Sequence, residues 1–108
     1  MKLSVVIPFY NEENMIQKMY DALAEEINKI TKAEFEIIFI NDGSKDRTFE
    51  KMLTIADGDS RVKYISFSRN FGKEAGTIAG LEYATGEAVI LMDGDLQHPP
   101  ALLPQMIE

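Results

Sequence analysis

Asp93 and Asp95 are separated by one glycine and follow directly on the apolar run AVILM, residues 88–92. In extended backbone, residues two apart point the same way and stand about 7 Å apart. Two carboxylates so placed can face one cation, and hard oxygen ligands suit Mg²⁺ or Mn²⁺. Gln97 continues the alternate register and offers a third oxygen. A plain turn after a strand uses the same residue types. The metal reading gains from position, because the pair ends an apolar run and three other such runs also end in polar segments.

Those segments are PFYNEE (8–13), NDGSKD (41–46) and SRNFGK (68–73). Tyr10 can stack on a flat ring or cover the first helix, with Glu12 beside it. Asp42 follows a strand directly and can accept hydrogen bonds from a ligand, whereas Asp46 reads as a helix cap. Arg69 and Lys73 bring positive charge, to meet phosphate oxygens or to pair with Asp42 or Asp93. His98, the only histidine, stands before two prolines and reads as structural. A calcium loop starting at Asp42 fails, since it needs glycine where Arg47 stands and glutamate where Leu53 stands. An aspartyl-phosphate phosphatase fails as well, because Ile40 occupies the nucleophile's place. No GxGxxG or GxxxxGK[ST] loop is present.

The elements that must position these residues follow from periodicity. Leu3–Pro8, Phe35–Ile40, Val62–Phe67 and Ala88–Met92 read as strands. Between them lie helical patterns. Asn11 is the expected cap of the first, whose apolar face is Ile16, Met19, Tyr20, Leu23, Ile27 and Ile30. Asp46 is the expected cap of the second, with Phe49, Met52, Leu53 and Ala56 facing inward. The third runs to about Ala84, with Gly86 as its stop. Gly72, Gly76 and Gly80 fall on one stripe of it, which suggests backbone packed close to the sheet. Leu102, Leu103, Met106 and Ile107 open another amphipathic pattern. Alternation of this kind predicts an α/β fold: a Rossmann-like, mostly parallel sheet with helices on both faces. In such sheets ligands bind beyond the C-terminal strand ends.

The 108 residues suit one domain. Net charge is −7, which argues against nonspecific nucleic-acid binding. No Lys or Arg follows Lys73, whereas six acidic residues do (Glu74, Glu82, Glu87, Asp93, Asp95 and Glu108). A solvated acidic surface explains that half as readily as an anionic ligand held through a cation. Cysteine is absent, so disulfides and thiolate metal sites are excluded. No stretch approaches the roughly 20 apolar residues of a membrane span, and the chain reads as soluble.

Taken in order, VVIPFYNEE, IIFINDGSKDRT, SRNFGKEAG and LMDGDLQHPP resemble the start of family 2 inverting glycosyltransferases of GT-A fold. The nearest branch is that of dolichyl-phosphate mannose synthases and bacterial polyprenyl-phosphate glycosyltransferases. The resemblance runs from about Lys2 to Glu108. It implies that Pro8, Tyr10 and Glu12 lie near the nucleotide and that Asp42 meets the base. Asp93 and Asp95 match the family's D-x-D pair, which holds the metal and the nucleotide diphosphate, with Gln97 as a further metal ligand. Gly94 stands where many relatives carry alanine. Lys73 is a candidate for the sugar or phosphate.

The resemblance further implies a nucleotide-diphosphate sugar as donor, UDP- or GDP-linked, and a polyprenyl phosphate as acceptor. Residues 1–108 look like the nucleotide-sugar-binding N-terminal part of a longer catalytic domain. The full protein would then be membrane-associated and face the cytoplasm, and the fragment alone would be inactive. The last strand is expected at one side of the sheet, where its free edge would favour a homo-oligomer. Two alternatives stay open: a family 2 enzyme for polysaccharide or protein-linked sugars, and an acidic α/β binding module without catalysis.

Overall fold

The computed structural model describes residues 2–30 and 32–92. Asp93, Asp95, Gln97, His98 and the pattern beginning at Leu102 lie outside the described residues. The elements are β1 (Lys2–Phe9), α1 (Ile16–Lys29), β2 (Glu34–Asn41), α2 (Thr48–Gly58), β3 (Val62–Ser66), α3 (Lys73–Tyr83) and β4 (Ala88–Leu91). Among the described residues, four strands form one sheet in the order β3-β2-β1-β4. Every pairing is parallel. All strand C-termini therefore share one edge, and β4 lies at the side of the sheet, as the sequence predicts.

β1 and β2 are almost continuous apolar runs because both of their faces are covered. Leu3, Val5, Ile7 and Phe9 point to the larger core, with Ile37 and Phe39 of β2, Ile16, Met19 and Leu23 of α1, and Met52 and Ile55 of α2. Phe9 and Phe39 meet there edge to face at 5.2 Å. The alternate residues Val6, Ile38 and Ile40 form the second core, beneath α3. The helices thus cover both faces, α1 and α2 on one and α3 on the other.

The glycine stripe of α3 has a direct cause. A Cβ on Gly80 would stand 2.2 Å from Val6 Cγ1, and one on Gly76 would stand 3.2 Å from Ile40 Cγ2. Glycine costs roughly 1 kcal/mol of helix propensity against alanine. Here it lets the helix backbone lie directly on the sheet. Gly72 does not belong to this stripe: it precedes the helix at φ 99° and faces open space.

Three further expectations need correction. Asn11 does not cap α1, which starts at Ile16 without a side-chain cap. Its side chain is taken by the neighbouring loop, and its own φ is +51°. Leu53 is not an inner residue of α2 but is exposed. Gly86 is not the stop of α3, which ends at Tyr83. Gly86 instead passes so close to β1 that a Cβ would lie 2.7 Å from the Ser4 amide nitrogen.

Candidate functional site

The loops after β1, β2 and β3 are stitched together at the C-terminal edge of the sheet. Asn11 joins the first two: its amide donates to Ser44 Oγ at 3.0 Å, and its Oδ1 accepts from the Lys45 amide at 2.8 Å. The Glu12 amide donates to Thr48 Oγ1 at 2.8 Å, and the Glu13 amide to Asp46 Oδ2 at 3.2 Å. Lys51 Nζ closes the junction on the Glu13 carbonyl. Asp46 is not the cap of α2, whose N-cap position is Arg47 and carries no side-chain cap bond; from one residue earlier Asp46 accepts the Thr48 amide while gripping the first loop. Burial alone would raise the Asp46 carboxyl, but these hydrogen bonds outweigh it and hold its pKa below the ordinary value.

Asp42 joins the second loop to the third. It follows β2 directly and is 3% exposed. Its Oδ1 accepts the Phe71 amide at 2.8 Å, and its Oδ2 accepts the Gly72 amide and Asn70 Nδ2, both at 3.1 Å. A carboxylate has about four acceptor positions. Among the described residues three are used, two on Oδ2 and one on Oδ1. Gly43 makes the approach possible, because a Cβ there would sit 2.1 Å from the Arg69 carbonyl carbon. Its φ of 71° also favours glycine.

The other predicted residues sit on the same edge. Tyr10 follows β1 and is 42% exposed, so its ring is available for stacking. Pro8 is half-buried beneath Gly76. Glu12 is half-buried, and its carbonyl receives the Met15 and Ile16 amides as α1 begins. Lys73 opens α3 and is exposed. The Arg69 guanidinium lies over the Phe71 ring, 4.7 Å from its centroid, and that ring meets Phe67 edge to face. Met92, buried, donates its amide to the Val6 carbonyl. β4 thus ends on the edge where the other three loops gather.

Sequence reasoning missed the structural work of Asn11, Ser44 and Asn70. Asn11 carries a readable signal, since asparagine is among the few residues that accept positive φ. It also missed Glu36, which lies 2% exposed at the opposite end of the sheet. Glu36 accepts from Ser4 Oγ, Lys63 Nζ and both the amide and hydroxyl of Thr85. A cleft of about 530 Å³ opens near that end, lined in part by Lys2, Arg61 and Lys63. Its cations are already held by Glu36 and Asp59, which leaves the C-terminal edge as the better site.

Residues 4–108 match the family described as Glycosyl transferase family 2. The chain belongs to that family. Among curated glycosyltransferases, it is 46% identical to the bactoprenol glucosyl transferase of Shigella phage SfX, over all of this chain and 35% of the relative. It is 48% identical to the uncharacterized glycosyltransferase YkcC of Bacillus subtilis, over 97% of this chain and 32% of the relative. The chain therefore spans about a third of the length of these relatives. Among solved structures, S. aureus TarS in complex with UDP superimposes with TM-score 0.76 at 30% identity, covering 88% of this chain and 28% of TarS. A Pyrobaculum calidifontis mannosyltransferase in complex with GDP-Man and Mn²⁺ reaches TM-score 0.82 at 23% identity, over 97% of this chain and 31% of the enzyme. The sheet and its helices are thus part of a GT-A glycosyltransferase fold.

Proposed function

We propose that this chain is the donor-binding part of a polyprenyl-phosphate glycosyltransferase. It binds a nucleotide-diphosphate sugar at the C-terminal edge of the sheet. In the whole enzyme, a phosphate oxygen of the lipid attacks the anomeric carbon. The bond to the nucleotide diphosphate breaks, its electron pair leaves with the diphosphate, and the anomeric centre inverts. The observation that carries the reading is the convergence of four strand ends on one edge. The 46% identity to bactoprenol glucosyl transferase over the full chain points to the acceptor class.

The chain's own residues divide the task. Tyr10 stacks on the base, with Pro8 and Glu12 shaping the floor beside it. Asp42 fixes the loop after β3 and offers its carboxylate to the base. Lys73, the last cation in the chain, faces the phosphates or the sugar. Asp93 and Asp95, with Gln97, would hold Mg²⁺ or Mn²⁺. That donor set is all oxygen, which fits such hard ions. A bound cation supplies Lewis-acid charge to the departing diphosphate.

The test is thermal unfolding with Mn²⁺ and, in turn, UDP-glucose, GDP-mannose and NAD. Ligand at about 100 times its Kd adds about 2.7 kcal/mol, a rise of several degrees in Tm. Stabilisation by one sugar nucleotide and none by NAD is expected. No rise with either sugar nucleotide, or an equal rise with all three ligands, would contradict the reading. On the same reading the 108 residues bind the donor without transferring its sugar. Labelled sugar appearing on undecaprenyl phosphate would refute that part. Self-association through the edge of β4, which is unpaired among the described residues, also belongs to the reading, and light scattering showing only monomer at high concentration would count against it.

A further inference from the structure

Asn70 is exposed, yet its side-chain amide is committed to one residue. Its Nδ2 donates to Oδ2 of Asp42 at 3.1 Å and to the main-chain carbonyl of Asp42 at 3.2 Å. An amide NH₂ carries two hydrogens, enough for both. One side chain thus spans the backbone and the carboxylate of a single aspartate. That span restricts rotation between Cα and Cβ of Asp42, and so sets where the carboxylate points. The Phe71 and Gly72 amides hold the carboxylate as well, but not the Asp42 main chain.

The loop after β3 does not need this side chain to stay in place. Its backbone rests on Gly43, where a Cβ would stand 2.1 Å from the Arg69 carbonyl carbon, and two of its amides are bonded to Asp42. What Asn70 adds is aim. We infer that Asn70 is a positioning residue for nucleobase recognition: it holds the Asp42 carboxylate in the orientation that accepts an N–H of the base. The inference rests on the reading of Asp42 as the acid that meets the base. Uracil presents one ring N–H between two carbonyls, whereas guanine presents a ring N–H beside an amino group. A carboxylate free to turn accepts from either, and one held at a fixed angle discriminates between them.

The test is calorimetric titration with UDP, GDP and inorganic pyrophosphate, each with Mn²⁺, on the parent chain, Asn70→Ala and Ser66→Ala. Ser66 Oγ accepts from Asn41 Nδ2 at 3.0 Å, so the control loses a hydrogen bond at the same edge without touching Asp42. Asn70→Ala should weaken the preferred nucleotide about tenfold and shrink the ratio between the two nucleotides, with pyrophosphate binding unchanged. Asn70→Asp, which keeps the shape and removes the donors, should repeat that loss. Ser66→Ala should keep the parent's ratio. An unchanged ratio in Asn70→Ala, tighter binding by it, or the same change in Ser66→Ala would overturn the inference and leave the donor site standing. A parent that binds neither nucleotide would overturn the donor site itself, and the inference with it.

Discussion

The carboxylate of Asp42 holds the amide of Gly72, thirty residues further along the chain, at 3.1 Å. The same side chain holds the Phe71 amide at 2.8 Å. A strand-end acid therefore fixes the entry to α3, and with it the position of Lys73. Asp42→Asn places an amide group against N–H donors and leaves part of that set unsatisfied. The expected loss is about 1–3 kcal/mol in urea denaturation, together with weaker nucleotide binding. Unchanged stability would show that the three hydrogen bonds do not order the loop.

Gly80 tests how closely α3 lies on the sheet. Gly80→Ala drives a methyl group to 2.2 Å from Val6 Cγ1, so the helix or the strand must shift. Overpacking of this kind costs about 1–3 kcal/mol, more than alanine's propensity gain restores. Gly58 ends α2, and a Cβ added there would meet nothing within 4 Å. Gly58→Ala should be neutral or stabilising by up to about 1 kcal/mol. Equal midpoints for the two variants in thermal melts would refute the close approach.

Glu36 gives the acid limb of stability a specific source. Burial alone would raise its pKa, but hydrogen bonds from Lys63, Thr85 and Ser4 outweigh that and lower it from 4.5 to about 2. A depressed carboxyl contributes fully above its unfolded pKa and loses that contribution as pH falls through the folded value. Stability should therefore drop between about pH 4.5 and pH 2, with roughly 3 kcal/mol at neutral pH tied to this group. Glu36→Gln should lower neutral stability and flatten that window in denaturation measured against pH. An unaltered slope would place the proton uptake elsewhere.

Much of the fold was legible because its signals are local. The apolar runs of β1 and β2, the helical spacing from Ile16 to Ile27 and the pair Gly76 and Gly80 each name an element or a packing surface. What escaped depends on contacts between distant segments. Asn11 reads as a cap in isolation, yet its Oδ1 is taken by the Lys45 amide across two loops. Gly72 has the spacing of the α3 stripe, but Asp42 draws its amide away before the helix begins. Leu53 fits an inner helical position, yet it is exposed among the described residues. For the candidate site, Tyr10 and Asp42 drew attention because each directly follows a strand, whereas Pro8, Glu12 and Lys73 entered through the family resemblance of their segments. The role of Asp42 in holding a loop was not legible, since its partners lie 28 to 30 residues away.

The central claim is that the C-terminal edge of the sheet binds a nucleotide diphosphate through a divalent cation held by Asp93 and Asp95. Calorimetric titration of the chain with UDP and with GDP, each with and without Mn²⁺, tests it most directly. The same titrations on Asp93→Asn/Asp95→Asn complete the comparison. Metal-dependent binding of one nucleotide, lost in the double variant, is the predicted result. Binding that ignores both the metal and the two substitutions, or no binding of either nucleotide by the folded chain, would contradict it.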